Sequence, residues 1–406
     1  MIQSIIFEHL IDFSLDGEWG KVDKFDDSIV MKVIRGTDFE SVRKGVFRDV
    51  PIRYISQKHG NRKKLQPYDI IIETAGGSKD KPTGRTLLLK KSMFSEKYPL
   101  TCASFSRFIR INPEKANPGY IFWVLQYLYK TRLLEKYHTQ HTGVARFQWT
   151  TFKTNELIRL PCLEYQLKVA EFLNQFDDLI IFNTERINVL EEVARCLYRE
   201  WFDELRFPNH ENAIIEQTKQ GLTPKGWLWK EVNDLVIRYK AGKIYRKNSV
   251  TMEGKIKVYD QSTKEFLGYH NNEPDHIASI EKPMLIFGDH TCKMQAITEP
   301  FSLGPNVIPF KSKGKISDYH LYFSIRNLVQ TKEYKRHWSE LKIKYILVPE
   351  KSVSVNYQII VEPIFNLIET LKKQIFDLTF IREALLSKLI SGDIDLSELD
   401  IIGVSD

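Results

Sequence analysis

Apolar positions along this chain repeat in two rhythms. Short runs such as Asp69-Ile-Ile-Ile-Glu73, Lys282-Pro-Met-Leu-Ile-Phe287 and Leu157-Ile-Arg-Leu160 are apolar throughout or alternate, as buried strands do. Between them, Tyr120-Ile-Phe-Trp-Val-Leu-Gln-Tyr-Leu-Tyr129, opened by Asn117-Pro-Gly119, and residues 318–326 read as helices. The longest pattern is different. Val169, Leu173, Phe176, Ile180, Ile187, Leu190, Ala194, Leu197 and Trp201 recur at steps of four and three, with the polar Asn183 interrupting. Ile364, Ile368, Leu371, Ile375, Leu378, Leu385 and Leu389 keep the same rhythm, with Arg382 interrupting. This is the narrow seam of a coiled coil.

The two seams belong to an internal repeat. Leu-Glu-Tyr-Gln-Leu-Lys-Val at 163–169 aligns with Val-Asn-Tyr-Gln-Ile-Ile-Val at 355–361, and the same offset pairs Asn174 with Asn366 and Glu191 with Glu383. Each copy follows an apolar strand ending in proline, Pro161 or Pro349. Pro363 is expected in the first turn of the second helix, where proline is tolerated, and Gly392 supplies its stop. Each helix should run roughly 35–40 residues, or ~55–60 Å. One small domain cannot cover such a helix, so the seams are expected to pair with each other. The alternatives are packing on separate domains or homodimerisation.

The expected organisation is a globular half (1–161), a long helix (162–202), a polar linker (203–225), a second half (226–349), a second helix (350–392) and a tail (393–406). The 406 residues exceed one ordinary core, and 42% hydrophobic with 27% charged residues is a soluble globular balance. Four scattered cysteines without a Cys-x-x-Cys pair point to a reducing cytoplasm. Neither a signal peptide nor a membrane span is expected. A net charge of +7 suits a nucleic-acid partner without requiring one.

These features together resemble the specificity subunit of a type I restriction-modification system. The resemblance rests on the proline and Tyr-Gln entries to both helices, on Trp201-Phe202 with Arg206-Phe-Pro208, and on the closing run Arg-Glu-Ala-Leu-Leu-Ser-Lys-Leu-Ile-Ser-Gly-Asp at 382–393. Residues 33–39, 68–78, Gly84-Arg85, Ala103-Ser-Phe-Ser106 and 139–143 add to it. It implies an α+β chain of two target-recognition domains separated by two long helices, which form an antiparallel intramolecular coiled coil in a pseudo-twofold arrangement. Each domain would read one part of a split site in double-stranded DNA. The helices would space the domains and dock two modification subunits, which methylate adenine, and restriction subunits could join. No cofactor is implied in this chain; S-adenosylmethionine, ATP and Mg belong to the partners.

DNA contacts are expected from basic and polar loops, because cationic side chains hold phosphates and Arg, Lys, Asn and Gln read base edges. In the first half the candidates are Arg62, Lys63 and Lys64, then Gly76, Gly77, Ser78, Lys79 and Arg85, and Thr142, Gly143 and Arg146. In the second half they are Lys240, Lys243, Arg246 and Lys247, with His290, Thr291 and Asn306. For any single Lys or Arg among them, a solvated surface charge is the competing reading.

Three other patterns read as structural. Asn117-Pro-Gly-Tyr120 differs by one residue from the Asn-Pro-Pro-Tyr of adenine methyltransferases but suits a helix start. His138 and His141 lack further ligands for a metal, and Asp69, Glu73 and Lys79 lack nuclease spacing. The chain is therefore not expected to be an enzyme. The alternatives are a free-standing methyltransferase or restriction enzyme, and a coiled-coil protein without DNA specificity.

Overall fold

The computed structural model describes residues 3–76, 82–140, 145–262, 265–331, 333, 335–394 and 396. The chain divides into two compact units, Met1–Glu185 with Lys373–Asp406, and Arg186–Lys372. The long helices are Leu163–Tyr198 and Lys351–Ser391, of 36 and 41 residues. Each unit therefore contains part of both. Among the described residues no helix is long and apolar enough to cross a membrane.

In the first unit, the strands Ile11–Asp16, Ser106–Ile111, Ile70–Glu73 and Thr86–Leu88 form an antiparallel sheet in that order. Its middle strand, Ile70–Glu73, is buried at every residue. That is why it reads as a continuous apolar run and not as an alternation. A smaller sheet puts Ser28–Ile34 antiparallel to Ile52–Ser56 and parallel to Leu100–Cys102. Helix Pro118–Lys130 packs on the main sheet, with Asn117 accepting from the Tyr120 N–H at 3.0 Å. The near-tetrapeptide of the methyltransferases is thus a helix cap.

The second unit repeats this plan. Val236–Arg238, Val307–Ser312, Met284–Gly288 and Met294–Ile297 form the main sheet. Ile256–Tyr259 lies antiparallel to Gly268–His270 and parallel to Phe301–Leu303. In each unit an early strand pairs with the strand entering the long helix: Gln3–Ile6 with Leu157–Leu160, and Leu228–Glu231 with Tyr345–Val348.

Two expectations change. Pro363 lies well inside its helix, not in the first turn. The helix starts at Lys351 because the second copy has four more residues than the first between the proline and the Tyr-Gln pair, about one extra turn. The segment read as a polar linker contains a hairpin, Ile215–Thr218 with Gly221–Pro224, and begins in a π turn, Arg199–Asp203. Trp201, Phe202 and Phe207 are buried there with Trp227.

Within each unit the two long helices run antiparallel. In the first, rising numbers on one helix meet falling numbers on the other. Asp177 pairs with Arg382, and the Asn183 amide donates to Gln374 at 3.3 Å. In the second, Tyr357 donates to the Ala194 carbonyl at 3.1 Å, and Glu191 lines a cavity with Ile368 and Lys372. Val169, Leu173, Leu371 and Leu389 are fully buried on the seam, while Phe176, Leu190, Ile375, Leu378 and Leu385 are half-buried. Asn183 and Arg382 are buried on it too.

The Tyr-Gln repeat has a physical reason. Tyr165 donates to the Ile394 carbonyl at 3.0 Å, and Tyr357 to Ala194; each joins its helix to the chain at the far end of the other. Gln166 donates to the Pro161 carbonyl and accepts from the Asn117 N–H at 2.8 and 2.9 Å, fastening the helix entry to the domain. Gly392, at φ +85°, ends the second helix, and Asp393 N–H returns to the Lys388 carbonyl in the six-to-one bond of a Schellman stop.

Candidate nucleic-acid interface

In the first unit three candidate segments gather at one end of the main sheet. Beyond Glu73, the Phe147 N–H donates to the Thr74 carbonyl at 2.8 Å and the Gly76 N–H to the Ala145 carbonyl at 3.2 Å. Exposed Arg146 therefore sits beside Gly76, which has φ +102°. Arg85 joins through its backbone, since the Glu73 N–H donates to its carbonyl at 2.8 Å. Its guanidinium is engaged by Glu73 in a two-pronged pair at 2.9 and 2.6 Å. That pair holds the Arg85 pKa above its ordinary value despite burial. Gly36 makes room for it, since a Cβ there would lie 2.5 Å from the Glu73 carboxylate.

The basic run at 58–64 is partly helical, Gln57–Arg62, and not the loop expected. Arg62 and Lys64 are exposed, whereas Lys63 donates to Glu18 at 2.7 Å and to the Gly17 carbonyl at 3.1 Å. Gly17 and Glu18 in turn donate from their backbones to Ser106 and Cys102 at 2.9 and 2.8 Å. Residues 102–106 thus connect the first-unit segments. Gly77, Ser78, Lys79, Thr142 and Gly143 lie outside the described residues.

The second unit gathers its candidates at the corresponding end. Tyr239 and Tyr245 donate from their backbones to Pro309 and Leu303 at 2.9 and 3.0 Å, so exposed Lys240, Lys243 and Arg246 run along that edge with Lys247. Tyr245 is stacked on His270 with ring centres 4.1 Å apart. Gly242 approaches Asp275 so closely that a Cβ would meet it at 2.6 Å. The turn after Met284–Gly288 carries His290 and Thr291, which bond Gln261 through the His290 N–H (3.0 Å) and the Thr291 hydroxyl (2.9 Å). The Asp289 N–H donates to the Asn306 carbonyl at 2.9 Å, which brings Asn306 beside that turn.

The carboxylates Asp69 and Glu73 are both consumed in ion pairs, Asp69 with Arg110 at 2.9 Å. Burial nonetheless raises the Asp69 pKa, outweighing Arg110. His138 lies in a strand, His138–Gln140, with its Nδ1 2.9 Å from the Thr83 hydroxyl. Residues not among the expected DNA contacts also reach this end. Trp19 is partly exposed with the Arg53 guanidinium 4.7 Å from its ring, and Phe105 is 66% exposed. The signal available was the aromatic character of short connections between strands.

The family described as "Type I restriction modification DNA specificity domain" matches residues 15–192. That match spans less than half of the chain. The chain is 26% identical over 315 residues to the type I restriction enzyme MjaIX specificity subunit of Methanocaldococcus jannaschii, covering 69% of this chain and 71% of that one. It is 22% identical to the putative type I restriction enzyme MjaX specificity subunit of the same organism, over 56% of this chain and 54%, about half, of that relative. Among solved structures it shares its fold with the type I restriction-modification S subunit from M. genitalium, at a TM-score of 0.56 and 13% identity over 96% of each chain. The match to the specificity family ends at residue 192, just inside the second unit. The common strand order carries the domain's plan into Arg186–Lys372.

Proposed function

We propose that this chain is the DNA-reading subunit of a type I restriction-modification assembly, that each unit reads one part of a split site, and that modification subunits seated on the long helices methylate adenine there. The observation that carries this reading is the duplication of the loop cluster. Both units place basic and aromatic connections at the same end of the same four-stranded sheet. Lys and Arg there hold phosphates, and glycine-bearing turns let the backbone approach closely.

The helices support the partner side of the proposal. Beside the seam, Leu179, Phe182, Phe376, Phe380 and Ile381 are exposed on the first unit's helical segments. Apolar side chains clustered this way mark protein interaction surfaces. S-adenosylmethionine, and ATP with Mg where a restriction subunit is present, are assigned to those partners in the cytoplasm. The test is methylation mapping of genomic DNA from cells with and without the gene. Loss of adenine methylation at one split motif is the expected result; an unchanged methylome in a strain that expresses the modification subunits would overturn the reading.

A further inference from the structure

In both units the connection from the small sheet into the central strand of the main sheet is a three-residue turn, 103–105 in the first and 304–306 in the second. The two turns are held identically. At the entry, the Ala103 N–H donates to the Ile34 carbonyl at 2.9 Å, and the Gly304 N–H to the Tyr259 carbonyl at 2.8 Å. Ile34 and Tyr259 each end the middle strand of their small sheets. At the exit, the Thr74 N–H donates to the Phe105 carbonyl at 2.8 Å, and the Asp289 N–H to the Asn306 carbonyl at 2.9 Å. The flanking register agrees, since Glu73 faces Ser106 and Gly288 faces Val307. Phe105 and Asn306 are therefore the same position in two copies of one fold.

Their chemistry is opposite. Phe105 is 66% exposed, a phenyl ring presented to solvent from a backbone fixed at both ends. Asn306 is exposed at φ +60°, a left-handed conformation that asparagine tolerates better than most residues. Among the described residues its side-chain amide makes no hydrogen bond. Each stands next to basic candidates of its own unit, Phe105 through Thr74 and Ala75 to Arg146, and Asn306 through Asp289 to His290.

We infer that Phe105 and Asn306 are equivalent base-reading positions, Phe105 selecting a thymine methyl or a deformable base step by apolar contact and Asn306 selecting a base edge by hydrogen bonding. The inference rests on the proposed DNA-reading function and adds to it which residue discriminates in each part. A phenyl ring has no donor or acceptor and gains only from apolar contact or unstacking. An asparagine amide offers both a donor and an acceptor, the pair that adenine's major-groove edge complements. The turn's double anchorage fixes the backbone from which either side chain projects.

The test is methylation-motif sequencing in cells carrying the full chain with its modification subunits, in wild-type, Phe105→Ala, Phe105→Leu and Asn306→Ala forms. F105A is expected to relax preference about tenfold at one or two base pairs in one part of the motif, leaving the other part unchanged. F105L, which keeps apolar contact, is expected to retain most of that preference. N306A should relax the other part alone. An F105A motif identical to wild type, or methylation lowered uniformly with the motif intact, overturns the inference. A wild-type chain that confers no split motif despite active modification subunits overturns the DNA-reading function itself, and so separates the two failures.

Discussion

Arg246 and Lys247 lie on the exposed edge segment of the second unit. If they hold phosphates, replacing both with glutamine weakens binding to every sequence alike. It also flattens the slope of log K against log salt by up to ~2, since each phosphate that a cation neutralises adds about 0.9 to that slope. Competition binding over a salt series checks this, and an unaltered slope would place both side chains off the DNA. Arg85 calls for a different expectation. Its guanidinium already holds the buried Glu73 carboxylate. Arg85→Ala should therefore lower stability as well as binding, by about 3 kcal/mol, because it strands a buried charge. Urea denaturation separates that loss from a role on the DNA.

At the scale of the elements, the first unit fastens its globular part to the paired helices through one charged cluster. Arg43 reaches Asp177 at 2.8 Å, Arg382 binds both Asp177 and Glu383, and Lys130 binds Glu383 at 2.9 Å. Trp123 lies within cation–π distance of both arginines and donates from its indole to Asn174 at 3.1 Å. Burial lowers the Arg382 pKa, but Asp177 and Glu383 outweigh it and keep the guanidinium firmly charged. Asp177→Asn leaves Arg43 without its carboxylate and Arg382 with Glu383 alone, and a loss of about 3 kcal/mol is expected in urea unfolding. The helix pattern showed Arg382 interrupting a seam. That its partner is Asp177, a residue 205 positions away, was not legible, because pairing depends on how two helices align and not on either period.

The second unit uses aromatic packing at the corresponding place, with His320 inside it. His320 is fully buried, with the Phe202 ring 4.2 Å away edge to face, and Tyr198 and Tyr357 near. Burial lowers its pKa from 6.5 to about 3. The folded chain thus holds the neutral ring. Above pH 6.5 its contribution is complete; below it the unfolded chain takes up a proton that the folded one refuses. Stability should fall by up to ~1.4 kcal/mol per pH unit from 6.5 toward 3 on account of this residue. Chemical denaturation at stepped pH measures the slope, and His320→Phe should remove that part of it.

For the molecule as a whole, the proposed split site makes the long helices a spacer. Adding seven residues to each, about 10 Å of helix, should lengthen the gap between the two parts of the methylated motif by about three base pairs. Motif sequencing reads the gap directly, and an unchanged gap would remove the helices from that role. The sequence by itself determined the repeat, the seams, the cap at Asn117 and the continuous buried strands. Each of these is a local rhythm of side chains set by the geometry of one helix or one strand. It placed the second helix at 350–392, close to the observed Lys351–Ser391, but set Pro363 in the first turn, whereas the proline lies well inside, because apolar spacing does not register an added turn. Only the tertiary structure decided that residues 17, 74–76, 84–85, 103–105 and 145–147 meet at one end of a sheet, and that Phe105 and Asn306 occupy equivalent positions in the two units. Strand register across long stretches of chain makes those neighbours, and register is fixed by packing between elements and not by the pattern within any one of them.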